Sequence, residues 1–365
     1  MAKIVIIILI CLTGLAFPLS SNASDIINMP QFCLLMVSGL MMISLWLFKF
    51  NKFAGLLVLT TIVPILNTFL NYRAPIASTV IYVLSIFIIS IIYIFIRNFG
   101  IKEDCLKYFI LPAVMNIIFI FIQQFAPNMI PLKSDEICGL IGNGGLTATF
   151  LGMTTPIFIK YFRVGLGFLL AAILLCKGFV GLLAFSVIIG FHFKEKLKLK
   201  FLLPVLIILI AIIYFGAQDK VSVSLRLSMF IGTLSGILHH PFIGWGVGSF
   251  IEVMTKILPE ESIYMGTSFN THSHVMNHPA NEFLFGWWNF GILFLAAMIF
   301  YVVDVFKSYT PSTKMVFGIL LGGLVTMMLF MFTPPTLFLM TVALAIFENT
   351  KGENHGKIQN ENAIV

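Results

Sequence analysis

The stretch from Gly178 to Lys200, GFVGLLAFSVIIGFHFKEKLKLK, decides the fold class of this chain. An apolar run of near-spanning length ends in a cluster of lysines, as is typical of a membrane helix that ends in the cytoplasm. The whole chain has this character, because 59% of its 365 residues are hydrophobic, 10% are charged and thirty-eight are Phe. No soluble domain hides so much apolar surface behind so little charge. We therefore predict an all-α polytopic membrane protein, with one integral membrane domain over residues 1–365.

Apolar segments between charged or Pro/Gly-rich breaks predict about twelve membrane crossings. They are 4–19, 32–50, 53–70, 76–96, 108–125, 140–159, 164–176, 178–193, 201–216, 284–303, 315–333 and 337–347. With the N-terminus inside, most Lys and Arg side chains lie in cytoplasmic loops, and the opposite orientation would invert that ratio. The residues left outside are Arg73, Lys133, Lys177, Lys220, Arg226 and Lys256. Both termini are therefore predicted to be cytoplasmic, with a short polar tail at 348–365, and the net charge of +7 reflects topology rather than nucleic-acid binding.

The first crossing has a second interpretation as a cleaved signal peptide. Residues 1–24 hold a lysine, a short apolar core and the ending SNAS, with Ser21 and Ala23 at the spacing that a signal peptidase accepts. Either interpretation leaves Ser24 outside, so the later topology is unchanged. The five cysteines form no CxxC pair, and their spacing indicates neither a disulfide framework nor a zinc site.

One long hydrophilic segment, residues 217–283, is predicted on the external face and carries five of the seven histidines. Loops of this length are uncommon unless they are functional, although an inert loop is the alternative. Residues 225–238 fit an amphipathic helix at the membrane interface, with Arg226 in its first turn. A turn follows in which Gly246 and Gly248 expose backbone amides. An arginine beside such amides suits a phosphate group at the membrane surface.

Lys177 interrupts the apolar sequence LLCKGFVGLLAF. The apolar stretches on either side are short, at ~20–24 Å of helix against a hydrocarbon core of ~30 Å. We therefore place Lys177 at the tip of a tight helical hairpin, at or below the outer interface. A lysine in that setting is a functional candidate, and the alternative is that its side chain reaches outward to the lipid headgroups.

The stretch THSHVMNHPANEFLFGWWNFG, Thr271–Gly291, places histidines directly before an apolar helix. His278 is the candidate general base, because a neutral imidazole accepts a proton near pH 7. Asn281 and Glu282 lie near the positive N-terminal end of the helix and are candidates for orienting the ring. Two alternatives stay open. His272, His274 and His278 form an HxHxxxH pattern that could chelate a metal, or these histidines are solvated and Asn281 and Glu282 only cap the helix.

Taken together, several segments resemble the superfamily of O-antigen ligases and Wzy-type O-antigen polymerases, which also includes protein O-oligosaccharyltransferases. The resemblance covers about residues 139–294 and rests on the order and spacing of several motifs. They read LIGNGGLTATFLGMTTPI, CKGFVGLLAF, LRLSMFIGTLSGILHHPFIGWGVGSF and HPANEFLFGWWNFGIL. The chain departs from the pattern twice: Lys177 stands where arginine is usual, and Ala280 stands where a second histidine is common. Lysine keeps the charge but loses the bidentate fork of arginine.

The resemblance implies a GT-C-like fold in the bacterial inner membrane and a metal-independent, inverting glycosyltransferase without a cofactor. The donor would be a glycan on undecaprenyl diphosphate, and the acceptor a glycan, a lipid A-core sugar or a glycoprotein hydroxyl. Arg226 and Lys177, with the amides of Gly246 and Gly248, would neutralise the diphosphate. His278 would deprotonate the acceptor, and Glu282 and Asn281 would orient His278 or a sugar hydroxyl. A polymerase or ligase is favoured over a protein transferase, because the sequence shows no large acceptor-binding domain.

A transporter or channel with a pH-sensing external loop is the rival function. Transporters usually place ionisable residues near the bilayer midplane, often within inverted repeats. The predicted crossings here are almost free of charge, and no repeat is visible. The sequence therefore favours the transferase. It also favours membrane anchoring or helix packing for Trp287 and Trp288 over a sugar-binding platform.

Overall fold

The structure is a computed structural model that describes residues 89–126, 137–141, 143–193, 220–246, 249–258, 261–264, 267–270, 281–329 and 334–362. In these ranges the chain is helical apart from one two-stranded hairpin, which confirms the predicted helical class. The helices are α1 (Ile89–Asn98), α2 (Ile110–Phe125), α3 (Gly144–Tyr161), α4 (Leu166–Leu175), α5 (Phe179–Phe193), α6 (Lys220–His239), α7 (Phe250–Ile257), α8 (Glu282–Phe290), α9 (Ile292–Lys307), α10 (Lys314–Leu329) and α11 (Pro334–Asn362). The strands are β1 (Glu261–Tyr264) and β2 (Thr267–Asn270).

The larger hydrophobic core is built around α3, which packs against α2, α4, α5 and α10. The side chain of Asn143 caps its N-terminus by accepting a hydrogen bond from Leu146 N at 3.1 Å. Small residues let α3 and α5 approach closely, since a Cβ on Gly181 would overlap the backbone of Ala148 and a Cβ on Gly152 would overlap Gly181. Interfaces of small residues are typical of helices that associate within a membrane.

A second, smaller core joins α6, α7 and α8. Its fully or nearly buried side chains are Met229, Ile237, Phe250, Val253, Met254, Leu258, Leu284, Phe285 and Trp288. The β1–β2 hairpin packs against α6 and pairs antiparallel, with Glu261 opposite Asn270 and Tyr264 opposite Thr267. Most of the segment predicted as the long external loop thus folds into a compact unit, and this unit includes α8.

Two helical segments among the described residues are long and apolar enough to cross a membrane by length and composition. They are Glu103–Phe125, where a 3₁₀ turn (Glu103–Phe109) leads into α2, and Pro311–Leu329, where a 3₁₀ turn (Pro311–Thr313) leads into α10. The other apolar helices are shorter. The predicted crossings 4–19, 32–50, 53–70 and 201–216, and most of 76–96, lie outside the described residues.

The segment 284–303, predicted as one crossing, forms two helices that meet at Gly291. The chain folds back at Gly291, as the contacts between the two helices show. A Cβ on Gly286 in α8 would lie 3.3 Å from Met298 Sδ in α9 and would overlap the ring of Phe294. In a straight helix, residues twelve positions apart are separated by ~18 Å. The sequence reads as one apolar run. In the structure the helix breaks at Gly291, whose φ is positive at 79°.

Two further predictions differ from the structure. The polar tail begins within a helix, since α11 continues through Glu348 to Asn362 and Glu348 forms an ion pair with Arg97 at 3.2 Å. The hairpin β1–β2 was not predicted, although ESIY and TSFN are short β-favouring runs separated by two residues that include a glycine.

Candidate functional site

The turn from His240 to Gly246 is bound to the junction between α8 and α9. Trp245 N donates a 2.6 Å hydrogen bond to the carbonyl of Trp288, and Ile292 N donates one of 2.9 Å to the carbonyl of Pro241. Gly244 and Gly291 both have positive φ, at 75° and 79°. A Cβ on Gly244 would lie 2.5 Å from Trp288 O, and one on Gly291 would overlap the carbonyl of Phe242. Glycine is therefore required on both sides of this contact.

Three tryptophans hold this junction together through their indole N–H groups. Trp245 Nε1 donates to Gly236 O at 2.8 Å and Trp287 Nε1 donates to Pro241 O at 2.9 Å. Trp288 Nε1 donates to the hydroxyl of Ser249 at 3.1 Å. Trp288 is fully buried and its ring stacks on Trp245 at a centroid distance of 5.9 Å. The prediction of a packing role is confirmed for Trp288.

Asn281 is the N-cap of α8. Its Oδ1 accepts a hydrogen bond from Leu284 N at 2.9 Å, and its Nδ2 donates to the carbonyl of Met328 on α10 at 2.9 Å. Glu282 lies in the first turn of α8. The amide of Asn281 thus defines where α8 begins and joins it to α10. The alternative that Asn281 caps the helix is confirmed, and a role toward His278 or a sugar stays a prediction.

The prediction that Gly246 is exposed in the glycine turn differs from the structure, in which Gly246 is buried. Gly246 has a left-handed backbone with φ of 89°, and its carbonyl accepts a 2.7 Å hydrogen bond from the hydroxyl of Ser249. Gly248 and His278 lie outside the described residues. Arg226 lies in the second turn of α6 and not in the first as predicted, because the helix begins at Lys220, and it stands two residues before the part of the helix whose side chains are described. Their roles as diphosphate ligands and base stay predictions.

Lys177 lies at the tip of a tight helical hairpin between α4 and α5, as predicted. Its side chain is exposed. Among the residues that the structure describes, it is the one non-glycine residue with a positive φ, at 51°. Its N–H closes the C-terminal turn of α4 on Leu174 O at 3.0 Å. The tip packs against the first turn of α3, since a Cβ on Gly144 would lie 2.7 Å from Cys176 O. Lys177 therefore lies near the positive N-terminal end of α3.

The structure brings some of the predicted site residues together and keeps others apart. The helix that carries Arg226, the turn that carries Gly246 and the start of α8 at Asn281 and Glu282 share the smaller core. Lys177 belongs to the hairpin on the larger core. The bond from Asn281 to Met328 connects the two units, because α10 packs against α3 and α5.

A cavity of about 470 Å³ lies between α9, α10 and α11. Its walls are apolar except for Tyr301 and Thr341. Tyr301 donates to Glu348 Oε1 at 3.4 Å, and Thr341 donates to Leu337 O at 2.7 Å, so both hydroxyls already have partners. The cavity suits an apolar chain and offers no group for acid–base chemistry.

Sequence reasoning missed Trp245 and Ser249 as the residues that organise the junction. The sequence did contain a signal for Trp245, which stands between Gly244 and Gly246. The indole N–H of a buried tryptophan requires a hydrogen-bond acceptor, so a packed turn was to be expected there. The metal alternative for the histidines lies outside the described residues, and within those residues no group of three or more His, Cys, Asp or Glu could hold a metal ion.

No family model matches the chain, and no curated protein matches it. The likeness to the O-antigen ligase and polymerase superfamily therefore rests on the motifs of the sequence itself.

Proposed function

We propose that this chain is an inverting, metal-independent glycosyltransferase of the O-antigen polymerase or ligase type, acting at the periplasmic face of the inner membrane. It would transfer a glycan from undecaprenyl diphosphate to an acceptor hydroxyl. The observation that carries the proposal is the docking of two separate motifs, 240–246 and 281–291, through the Trp245–Trp288 backbone bond. An inert loop would not need a shared core with glycines on both sides of the contact.

The polytopic topology is supported by the contacts between helix ends. Arg97 pairs with Glu348, and Lys160 pairs with Glu103 at 3.0 Å. All four residues are predicted to be cytoplasmic or to border the cytoplasm. On the opposite face, the side chain of Gln123 accepts hydrogen bonds from Cys138 N at 3.0 Å and Gly139 N at 2.9 Å.

The bond between Asn281 and Met328 likewise joins two ends that are predicted to be external. If the predicted number of crossings between Asn281 and Met328 were wrong by one, these two residues would lie on opposite sides of the membrane and could not form this bond. In the proposed topology α9 alone takes the place of the predicted segment 284–303 and α8 stays with the external unit, so the break at Gly291 leaves the proposed number of crossings unchanged.

The conformation of Lys177 supports a functional role. A left-handed backbone costs a residue with a Cβ ~1–2 kcal/mol, and glycine usually fills this position after a helix. The chain has a glycine one residue later, at Gly178, but keeps an exposed lysine at the strained position. Strained backbone residues cluster at functional sites, and a lysine near a helix N-terminus adds its charge to a region that already favours anions.

In the proposed reaction, Arg226 and Lys177 neutralise the negative charge that develops on the diphosphate leaving group, so that its departure requires no divalent ion. His278 takes the proton of the acceptor hydroxyl, whose oxygen attacks the anomeric carbon from the face opposite the diphosphate. The glycosidic bond to the carrier breaks as the new one forms. The configuration at the anomeric carbon is therefore inverted.

Electrophoresis of the surface glycolipids from a deletion strain tests this function and separates its two forms. Lipid-linked glycans of a single repeat unit indicate a polymerase, whereas long lipid-linked chains with bare core indicate a ligase. The matched control is the same strain carrying the wild-type chain. A deletion strain with unchanged glycolipids and impaired solute uptake would instead support the transporter.

A further inference from the structure

Helix α6 places large apolar side chains on its exposed face, where a helix on a soluble protein carries polar ones. From residue 228 onward, buried and exposed pairs alternate along the helix. The buried positions are Ser228, Met229, Gly232, Thr233, Gly236 and Ile237, most of them small or polar. The exposed apolar positions are Phe230 (40% exposed), Ile231 (46%), Leu234 (37%) and Leu238 (75%). A helix facing water places its large apolar side chains inward.

Two positions on the inward face require glycine because neighbouring side chains lie close to the backbone there. A Cβ on Gly232 would lie 2.8 Å from Leu258 Cδ2 and 2.8 Å from Met254 Cε, and a Cβ on Gly236 would overlap the ring of Trp288. The orientation of α6 is therefore determined by tight packing. Turning its large side chains inward would require the loss of these contacts.

The apolar surface continues past the end of α6. Phe242 and Ile243 follow in the turn and are 75% and 64% exposed. Their backbone lies against Gly291, and the adjacent Pro241 accepts hydrogen bonds from Ile292 N and Trp287 Nε1. The two exposed side chains thus project from a turn whose backbone is held from two directions. An exposed patch of this kind marks an interaction surface.

We propose that Phe230, Ile231, Leu234, Leu238, Phe242 and Ile243 insert into the acyl-chain layer of the outer leaflet. The partner is membrane lipid, for a reason of continuity. The turn is bonded to the first residue of α9, and α9 exposes further large apolar side chains, including Phe294 (38%), Ile299 (49%) and Phe300 (75%). A protein partner that covered only α6 would leave this surface uncovered, whereas a bilayer covers both parts.

This inference rests on the proposed function and deepens it. Insertion of the α6 face holds the smaller core at the depth of the lipid headgroups. The diphosphate of a lipid-linked donor lies at that same depth. The turn with Gly246, the start of α8 and the helix carrying Arg226 would therefore meet the donor without lifting its lipid out of the bilayer.

Photocrosslinking of the full-length chain in phospholipid nanodiscs tests the proposal. p-Benzoylphenylalanine is introduced singly at Leu238 and at Phe242, which are exposed enough to change without disturbing the core. The matched negative position is Lys256 on α7, whose side chain is 64% exposed on the same unit. The positive position is Phe300 on α9. Mass spectrometry after irradiation identifies phospholipid adducts, and gel electrophoresis identifies crosslinked dimers.

We expect phospholipid adducts at Leu238, Phe242 and Phe300, at least tenfold above the level at Lys256. Adducts at Phe300 with none at Leu238 and Phe242 would overturn this inference alone. Crosslinked dimers at those two positions in place of adducts would show a second copy as the occupant and would also overturn it. Absence of adducts at all positions, including Phe300, would contradict the membrane placement on which the proposed function depends.

Discussion

The amide of Trp245 donates a 2.6 Å hydrogen bond to the carbonyl of Trp288, forty-three positions later in the chain. Both rings belong to the same small core, and the ring of Phe250 packs edge-on against Trp288 at 4.9 Å. This contact joins the glycine turn to the helix that follows the histidine segment. It makes one unit of two stretches that the sequence shows as separate motifs.

Replacing Gly291 by alanine should disrupt this unit. Gly291 has φ of 79° and ψ of −175°, a conformation open almost solely to glycine, and an added Cβ would overlap the carbonyl of Phe242. We expect Gly291→Ala to lower the thermal midpoint of the purified protein and to reduce transfer, with a backbone cost of about 1–3 kcal/mol. Gly167→Ala is the matched control, because α4 leaves space around Gly167 and alanine favours a helix. Equal midpoints for the two variants would contradict the tight junction.

Asn281 should act mainly through structure, as its two hydrogen bonds indicate. Asn281→Asp keeps the capping acceptor and loses the donor to Met328 O, whereas Asn281→Ala loses both. We expect Asn281→Ala to be the less stable variant, at a capping cost of about 0.5–2 kcal/mol. The measurement compares thermal midpoint and transfer rate for both variants. Loss of transfer in both at an unchanged midpoint would instead indicate direct contact with the substrate.

Lys177 offers a test in which stability and activity change in opposite directions. Lys177→Gly removes the left-handed strain and should raise the thermal midpoint, by up to about 1–2 kcal/mol in folding free energy, while abolishing transfer. Lys177→Arg should keep transfer, because it retains the cation and introduces the residue that is usual at this position in the superfamily that the sequence resembles. Lys177→Ala should lose transfer without gaining stability. Wild-type activity in the alanine variant would show that the lysine only contacts the headgroups.

His278 should be essential, whereas His272 should not. Removal of a general base typically costs on the order of 10²–10⁴ in rate, so His278→Ala should lose nearly all transfer. His272→Ala should be mild, since His272 lies farther from the start of α8 in the sequence. Arg226→Ala should also abolish transfer while the protein still inserts into the membrane. Full activity in His278→Ala would rule out its role as base.

Chelation separates this mechanism from the metal alternative. Transfer should survive EDTA, because the proposed mechanism assigns to Arg226 and Lys177 the positive charge that a divalent ion would otherwise supply. Inactivation by EDTA with recovery on adding zinc would favour the HxHxxxH pattern formed by His272, His274 and His278. The measurement is the transfer rate of the purified protein before chelation, after chelation and after zinc is restored.

The topology is tested with a reporter that is active only outside the cytoplasm. Fusion near Glu260 should give activity and fusion near Lys198 should not, since the lysine cluster is predicted to be cytoplasmic. The inverse pattern would refute the external location of the α6–α8 unit. It would leave the contacts within that unit unchanged, because they do not depend on orientation.

The sequence by itself determined the helical class and the local features whose causes lie near each other in the chain. The tight hairpin around Lys177 follows from two short apolar stretches separated by a cation and a glycine. The capping of α8 by Asn281 follows from a side chain that accepts a bond three residues away. Such features depend on local periodicity and hydrogen bonding, so a single sequence is enough to predict them.

Tertiary structure alone decided where the apolar run 284–303 breaks and which face of α6 points outward. The break at Gly291 exists because a turn some fifty residues earlier lies against it, and the run itself is apolar on both sides of the glycine. On the inward face of α6, Trp288, Met254 and Leu258 leave no room for a side chain at Gly232 and Gly236, while Phe230, Ile231, Leu234 and Leu238 lie on the outward face. Periodicity identifies an amphipathic helix but not which side packs on protein, since lipid and a protein core accept the same side chains.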